Sequence, residues 1–264
     1  PPFIEDDAKR KDAEIKRLES ECQLEKAAKK RKKKIAIVTA ILIACIAFVI
    51  VLTTVIIPKQ KYNAAVAKYG QEFVDNFYAL NVGDVYKFGS YEQDNNTANG
   101  TEDIEWIVLE KKGNRILVIS RYVLDYQQYA RPSDNVIRQS ATWDNCYLRK
   151  WLNESFLNTA FSESEIGMIP SVTVRAEKNP RYRTDPGNNT TDKVFLLSIS
   201  EANAYFSSDS ARQCQGTAYC DAQGAYLQSN GTCSWSLRTP CDTTRTVAIV
   251  DSDGNISATG GTGT

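Results

Sequence analysis

The feature that most constrains this chain is an unbroken apolar run at residues 35–57, which holds 23 residues and no charged side chain. At about 1.5 Å per residue, a helix of this length crosses the ~30 Å hydrocarbon core of a membrane. The core helix of a soluble protein is also apolar, but it seldom continues this far without a polar face. The run therefore predicts one transmembrane helix, with membrane lipid as a partner.

The charges on the two sides of this run predict its direction. Residues 29–34 are all Lys or Arg, whereas the other flank offers only Lys59, Lys61 and Lys68. Because basic flanks stay in the cytoplasm, we expect a cytoplasmic N-terminus and an extracellular C-terminal domain at the plasma membrane. A cleaved signal peptide has a shorter apolar region of about 7–15 residues, followed by small residues. We therefore expect a single-pass signal anchor that is not cleaved.

Composition divides the chain into four predicted parts. They are a basic tail of residues 1–34, the transmembrane helix of 35–57, a stalk helix of 58–79 and an extracellular domain of 80–264. The tail has 12 basic and 8 acidic side chains and therefore a net charge of +4. The whole chain has 32 basic and 32 acidic side chains, so residues 35–264 carry a net charge of −4. A domain with this balance lacks the basic face that nucleic acids require, and we expect no nucleic-acid partner.

Turn and capping signals predict an α+β domain built from antiparallel hairpins and short helices. Apolar residues alternate on both sides of a Gly113-centred turn, and again around the Asp-Gly turn at residues 251–255, so each stretch indicates a hairpin. The second turn also has oxygen ligands at alternating positions, as a calcium loop has, but it lacks the distal Glu of an EF-hand. We therefore favour a turn over a calcium site.

Three helices are predicted in the same domain. Aromatic and apolar residues share one face between residues 142 and 153. Ser162 with Glu165, and Ser198 with Glu201, match the capping box in which an N-cap serine and a glutamate three residues later satisfy each other's backbone amides. Each box predicts the first turn of a short helix.

Several motifs occur together in a fixed order. They lie at residues 88–94, 105–109, 143–153, 193–198, 225–226 and 235–240. Through these motifs residues 80–264 resemble a bacterial surface-domain family, the domain of unknown function 6273, and the C-type-lectin-like fold shared with formylglycine-generating enzymes. The resemblance implies a compact domain with a loop-rich ligand face. The family closes with a strand containing Arg-Pro-Ala-Leu, so we expect this chain to lack its last strand.

The motif at residues 235–240 supplies the candidate ligand residues. Trp235 could stack on a sugar or a peptide, and Arg238 could hydrogen-bond it. Equally, Trp235 could belong to the core and Arg238 to a structural ion pair. The family usually carries paired tryptophans followed by Leu-Arg-Ser-Pro here, whereas this chain reads Ser-Trp-Ser-Leu-Arg-Thr-Pro at residues 234–240.

Export would permit disulfides among the cysteines of the domain. The candidates are Cys214, Cys220, Cys233 and Cys241. Pairing of 214 with 220 and of 233 with 241 would close short loops, and pairings of 214 with 233 or with 241 stay open. Free thiols are the alternative.

The chain contains no His, which removes the usual general acid or base and the commonest metal ligand. There is no Cys-x-x-Cys pair either, so we expect no metal and no cofactor. We expect a noncatalytic extracellular module that binds a glycan, a cell-wall polymer or a protein. An oxidoreductase of the formylglycine-generating type and a structural surface scaffold are the alternatives.

Overall fold

The computed structural model describes residues 2–131, 141–243 and 246–259. The chain forms two compact units, which meet in sequence between Tyr78 and Ala79. The first unit is helical, and the second contains short helices and strands.

The helical unit holds one long helix that includes the whole apolar run. It consists of α1 (Pro2–Val51), a π-helical turn (Leu52–Ile56) and α2 (Ile57–Tyr69), and a further helix, α3 (Gln71–Ala79), follows. The continuous stretch of 61 residues from Lys9 to Tyr69 is long and apolar enough to cross a membrane. Its apolar window is not buried against any other part of the described protein.

The π-helical turn ends at Ile56, two residues before Pro58, and the two features are linked. Proline has no amide N–H, so it cannot continue the usual ladder of hydrogen bonds. The wider turn accommodates this loss, because the amide of Ile57 donates to the carbonyl of Leu52, five residues back. The helix therefore continues past the predicted boundary between residues 57 and 58. It ends at Gly70, whose φ of 89° lies in the left-handed region that favours glycine.

The second unit contains four small sheets within the described residues. Their strands are β1 (Val85–Tyr91), β2 (Glu102–Lys112), β3 (Arg115–Ser120), β4 (Tyr122–Val123), β5 (Val172–Val174), β6 (Thr190–Asp192), β7 (Cys214–Gly216), β8 (Thr232–Cys233), β9 (Trp235–Pro240), β10 (Val247–Val250) and β11 (Ile256–Ser257). The sheet orders are β1-β2-β3, β11-β10-β9, β4-β7-β8 and β5-β6. Both predicted hairpins are confirmed, as β2-β3 and β10-β11. The sequence predicted antiparallel strands, but β4 and β7 pair in parallel.

Short helices complete this unit, and the α+β class is confirmed. They are α4 (Tyr147–Trp151), α5 (Leu157–Ala160), α6 (Glu163–Ile166), α7 (Ile199–Tyr205), α8 (Asp209–Arg212) and α9 (Ala218–Ala222), with a π-helical turn (Leu152–Phe156) joining α4 to α5. Both predicted capping boxes are present, at the starts of α6 and α7. The helix predicted from residue 142 starts later, because residues 142–145 form a turn and Cys146 caps α4 by accepting the amide of Arg149.

Buried polar side chains connect segments that are distant in sequence. Asn179 has no exposed surface, and its amide donates to the carbonyls of Pro240 and Ala258. Asp192 accepts from the indole of Trp143 at 3.0 Å and from Arg149 at 2.7 Å. Because buried polar groups are costly when unpaired, these bonds fix the loops around the apolar clusters.

Candidate ligand-binding face

The two residues that the sequence singles out for ligand binding both lie on β9. The Arg238 side chain is 3% exposed. It donates to both carboxylate oxygens of Glu201, to one of them at 2.8 Å, and to the carbonyl of Leu196 at 2.7 Å. The indole of Trp235 is partly buried and donates to the carbonyl of Arg212 at 3.0 Å. Each therefore has partners within the protein, and a ligand role for the two residues stays a prediction.

The carboxylate that holds Arg238 has an altered pKa. Burial of Glu201 acts to raise the pKa, but the hydrogen bonds and charge of Arg238, with the amide of Ser198, outweigh burial and lower it. Glu201 is thus an ionised partner at neutral pH. The pair connects the first turn of α7 to the centre of β9.

A different set of residues comes from two neighbouring segments, and we call it the tyrosine face; one of its members is exposed and four are partly buried. It is made of Asp125, Tyr126, Gln127, Tyr219 and Tyr226. The first three follow β4 in an extended segment, and the last two lie on α9 and just after it. Sequence patterns did not find this set, because the segment has neither strand nor helix periodicity. Its signals in the sequence were the closely spaced tyrosines at 122, 126 and 129 and the family motif at residues 225–226.

Backbone hydrogen bonds bring the two segments together. The amide of Thr217 donates to the carbonyl of Val123 at 3.1 Å, next to the parallel pairing of β4 with β7. The Thr217 hydroxyl then caps α9 by accepting the amide of Cys220 at 3.1 Å. This places the start of α9 beside the residues that follow β4.

Asp125 lies among the tyrosines of this face. Its carboxylate accepts from the hydroxyl of the buried Tyr91 at 2.5 Å and from its neighbour's amide, that of Tyr126, at 2.6 Å. The ring of Tyr91 meets that of Tyr219 edge to face, with centroids 5.8 Å apart. Burial raises the pKa of Asp125 despite these hydrogen bonds. Burial and the nearby carboxylate of Asp125 also raise the pKa of Tyr219.

Exposure differs between the aromatic residues of the face, since Tyr126 is partly buried and Tyr226 is exposed. The ring of Tyr126 lies over Gly224, where an added Cβ would be 3.5 Å from the ring. Two residues further on, Tyr226 is 79% exposed. Gln127 donates its side-chain amide to Asp125 at 3.3 Å and is only partly buried. The face thus combines aromatic rings, a carboxylate and an amide, a set that suits a polar ligand with apolar faces.

Three of the candidate disulfide residues lie close to one another. Cys220 on α9 hydrogen-bonds Cys233 on β8, and Cys214 on β7 stands directly opposite Cys233 in the strand pairing. The bond to Cys233 lowers the pKa of Cys220 to about 7, and it raises that of Cys233. Cys241 lies in another apolar cluster, with Leu237. All four are free thiols in this structure.

Two acidic groups could be considered as cation ligands. Glu92, Asp94 and Glu102 place one oxygen each within 4.8 Å of one another. The loop already uses these oxygens, because Glu92 accepts the amide of Asn96 at 3.0 Å and Glu102 that of Gln93 at 2.7 Å. In the Asp-Gly turn, likewise, one carboxylate oxygen of the first aspartate accepts two backbone amides. We attribute both groups to the folding of their loops.

Comparison with known proteins gives one match. A family model described as "Domain of unknown function (DUF6273)" matches residues 113–263, more than half of the chain. The match starts later than the resemblance over residues 80–264. No curated protein and no solved structure matches the chain.

Proposed function

The chain belongs to the family described as domain of unknown function (DUF6273), and from this premise and the tyrosine face we propose that it is a noncatalytic extracellular binding module for a glycan or cell-wall polymer. In this proposal the long N-terminal helix anchors the module in the plasma membrane. The second unit takes the C-type-lectin-like fold that its sequence motifs resemble.

The observation that carries the proposal is the tyrosine face, in which the exposed ring of Tyr226 follows a helix whose Tyr219 lies near the carboxylate of Asp125. Sugar rings have apolar C–H faces and polar edges, so they suit sites that combine aromatic rings with hydrogen-bonding groups. Tyr226 and Tyr126 offer the rings, and Asp125 and Gln127 offer an acceptor and an amide. Tyrosine also loses little conformational entropy on binding, since it has only two side-chain torsions.

A binding screen with the full chain in lipid nanodiscs tests the proposal. The probes are purified peptidoglycan, teichoic acid and a glycan array. We expect saturable binding that Tyr226→Ala weakens about tenfold, the loss of about 1.4 kcal/mol typical of a contributing interface aromatic. Asp125→Asn should weaken it too, while Tyr78→Ala, which removes an exposed tyrosine from the helical unit, should leave it unchanged.

The proposal fails if no polysaccharide binds, or if the two substitutions in the face leave binding intact. Binding of a protein through the same residues would show that the ligand is a protein and not a polysaccharide. The absence of any saturable ligand would favour the structural scaffold.

One observation favours a second candidate, an oxidoreductase of the formylglycine-generating type. That chemistry requires two cysteines as soft ligands for copper(I), and Cys220 and Cys233 are in contact. Both thiols are fully buried, however, which leaves a substrate thiol no open approach to them. Turnover of a cysteine-containing peptide by the copper-loaded chain with oxygen would establish the enzyme. Polysaccharide binding without turnover would support the module.

A further inference from the structure

Gly216 marks the place where two cysteines from different elements meet. A Cβ added at Gly216 would lie 2.8 Å from the Sγ of Cys220 and 3.1 Å from the Sγ of Cys233. The two thiols are also hydrogen-bonded to each other. Cys220 is 0% and Cys233 1% exposed, so the pair is shielded from solvent. The structure thus selects a pairing that the loop-closure argument from the sequence did not include.

The other described cysteines of the domain have different surroundings. Cys214 faces Cys233 across the strand pair, but it is partly exposed and donates to the carbonyl of Arg121 at 3.4 Å. Cys241 packs in the cluster around Leu237. Cys146 accepts the amide of Arg149 at the start of α4. Contact between sulfurs therefore favours Cys220 and Cys233 over the pairs that involve Cys241.

We propose that Cys220 and Cys233 form a disulfide that fixes the start of α9 to β8. The oxidant is a thiol oxidoreductase that carries a disulfide. Cys220 thiolate attacks one sulfur of that disulfide, whose S–S bond breaks, and the other sulfur leaves as a thiolate. Cys233 then gives up its proton and attacks the Sγ of Cys220, which releases the second sulfur of the oxidant. Two protein thiols are oxidised, and one disulfide is reduced to two thiols.

The position of Cys220 supports its role as the attacking group. The hydrogen bond with Cys233 lowers the pKa of Cys220 most, and the hydroxyl and backbone amide of Thr217 lower it further, so Cys220 is the sulfur that favours a thiolate. Because both sulfurs are buried in the folded domain, the exchange takes place before β8 closes over them. The finished bond is then protected from external reductants, which makes it a lasting part of the exported domain.

The chain offers a convenient digest for the test. Trypsin alone leaves the three clustered cysteines in one peptide, because no Lys or Arg lies between Arg212 and Arg238. Chymotrypsin cuts after Tyr219, Tyr226 and Trp235 and places Cys214, Cys220 and Cys233 on separate peptides. Full-length protein from membranes is denatured in N-ethylmaleimide, digested with both enzymes and analysed by mass spectrometry. A second portion is first incubated with glutathione disulfide.

We expect the Cys220 and Cys233 peptides to be linked and the Cys214 peptide to carry the maleimide. Cys214→Ser should keep the link. Dithiothreitol reaches the bond once the domain opens on heating, so thermal unfolding in its presence should shift down by about 5–10 °C in the native chain and in Cys214→Ser, but not in Cys220→Ser. Maleimide on both Cys220 and Cys233 in each portion, or a link from either one to another cysteine, would overturn the proposal. These readouts do not involve a ligand, so they are independent of the binding screen.

Discussion

Glu201 binds Arg238 with both oxygens of its carboxylate, and one of these oxygens also accepts the amide of Ser198 at 2.8 Å. The same side chain thus completes the capping box of α7 and neutralises a buried guanidinium on β9. Removing Glu201 would leave the Arg238 guanidinium buried without a counter-charge, and removing Arg238 would leave a partly buried carboxylate unpaired. Either change is more costly than losing a surface ion pair.

The first prediction concerns the stability of the Arg238 site. Arg238→Ala should lower the free energy of unfolding by about 3–5 kcal/mol, because it removes a buried guanidinium that binds Glu201 and the carbonyl of Leu196, and it leaves the partly buried Glu201 carboxylate unpaired. Arg115→Ala is the matched control, since Arg115 is exposed at the start of β3, and it should change stability by no more than about 0.5 kcal/mol. Urea unfolding followed by tryptophan fluorescence measures both variants. A stable Arg238→Ala variant with weakened ligand binding would instead return Arg238 to the ligand site.

The second prediction concerns acid. The folded-state pKa of Glu201 is lowered, so its ionisation contributes stability above the ordinary glutamate pKa, and this contribution is lost as pH falls through the folded value. We expect the free energy of unfolding to fall below about pH 4.5. In Glu201→Gln the decline should be shallower, since residue 201 no longer titrates. Equal slopes for the two proteins between about pH 5 and 3 would contradict this account.

A third prediction separates crowding from backbone strain at two glycines. Gly254 and Gly83 have φ of 87° and 93°, so alanine at either position costs about 1–2 kcal/mol in the left-handed region. An added Cβ at Gly254 would also lie 1.8 Å from the carbonyl oxygen of Asp209, whereas that at Gly83 would meet nothing within 4 Å. Gly254→Ala should therefore lower stability by about 1–3 kcal/mol more than Gly83→Ala, as measured by urea unfolding. Equal losses would show that the backbone at Asp209 moves aside freely.

The fourth prediction concerns topology. Protease added to intact cells should degrade the second unit and leave the tail before residue 35 protected, because the basic cluster at residues 29–34 stays in the cytoplasm. Antibodies against each end of the chain detect the products. Changing all six basic residues to Gln should give mixed orientations without preventing insertion, since insertion depends on the apolar run. A protected C-terminal domain in the native chain would reverse the assignment.

Short-range chemistry explains what the sequence could predict. A capping box needs only a serine and a glutamate three residues apart, so Ser162 and Ser198 identify the starts of α6 and α7. The Gly113 turn is equally local, and the two strands beside it follow from alternation. The start of α4 was placed too early, because aromatic residues at helical spacing also occur in the turn that precedes Cys146.

The tyrosine face and the thiol pair depend on tertiary contacts that no local pattern encodes. Asp125 lies in an extended segment, and its partner Tyr91 comes from β1, 34 residues earlier. Cys220 reaches Cys233 only because β7 pairs with β8 and α9 follows β7 directly. Proximity along the chain favoured a bond between Cys214 and Cys220. The strand pairing instead brings Cys233, which is more distant in sequence, into contact with Cys220.

The π-helical turn at Leu52–Ile56 has a consequence for the faces of the long helix. A turn of this kind inserts one extra residue, and each residue rotates an α-helix by about 100°. Side chains that share one face before Leu52 are therefore not in line with the side chains that would continue that face after Ile57. The two sets are rotated from each other by about a quarter-turn or more about the helix axis. Neighbouring helices that pack along the apolar run cannot follow the same face beyond Pro58 without changing sides. A helix that packs along the apolar run before Leu52 therefore meets a different face of the chain from one that packs beyond Pro58.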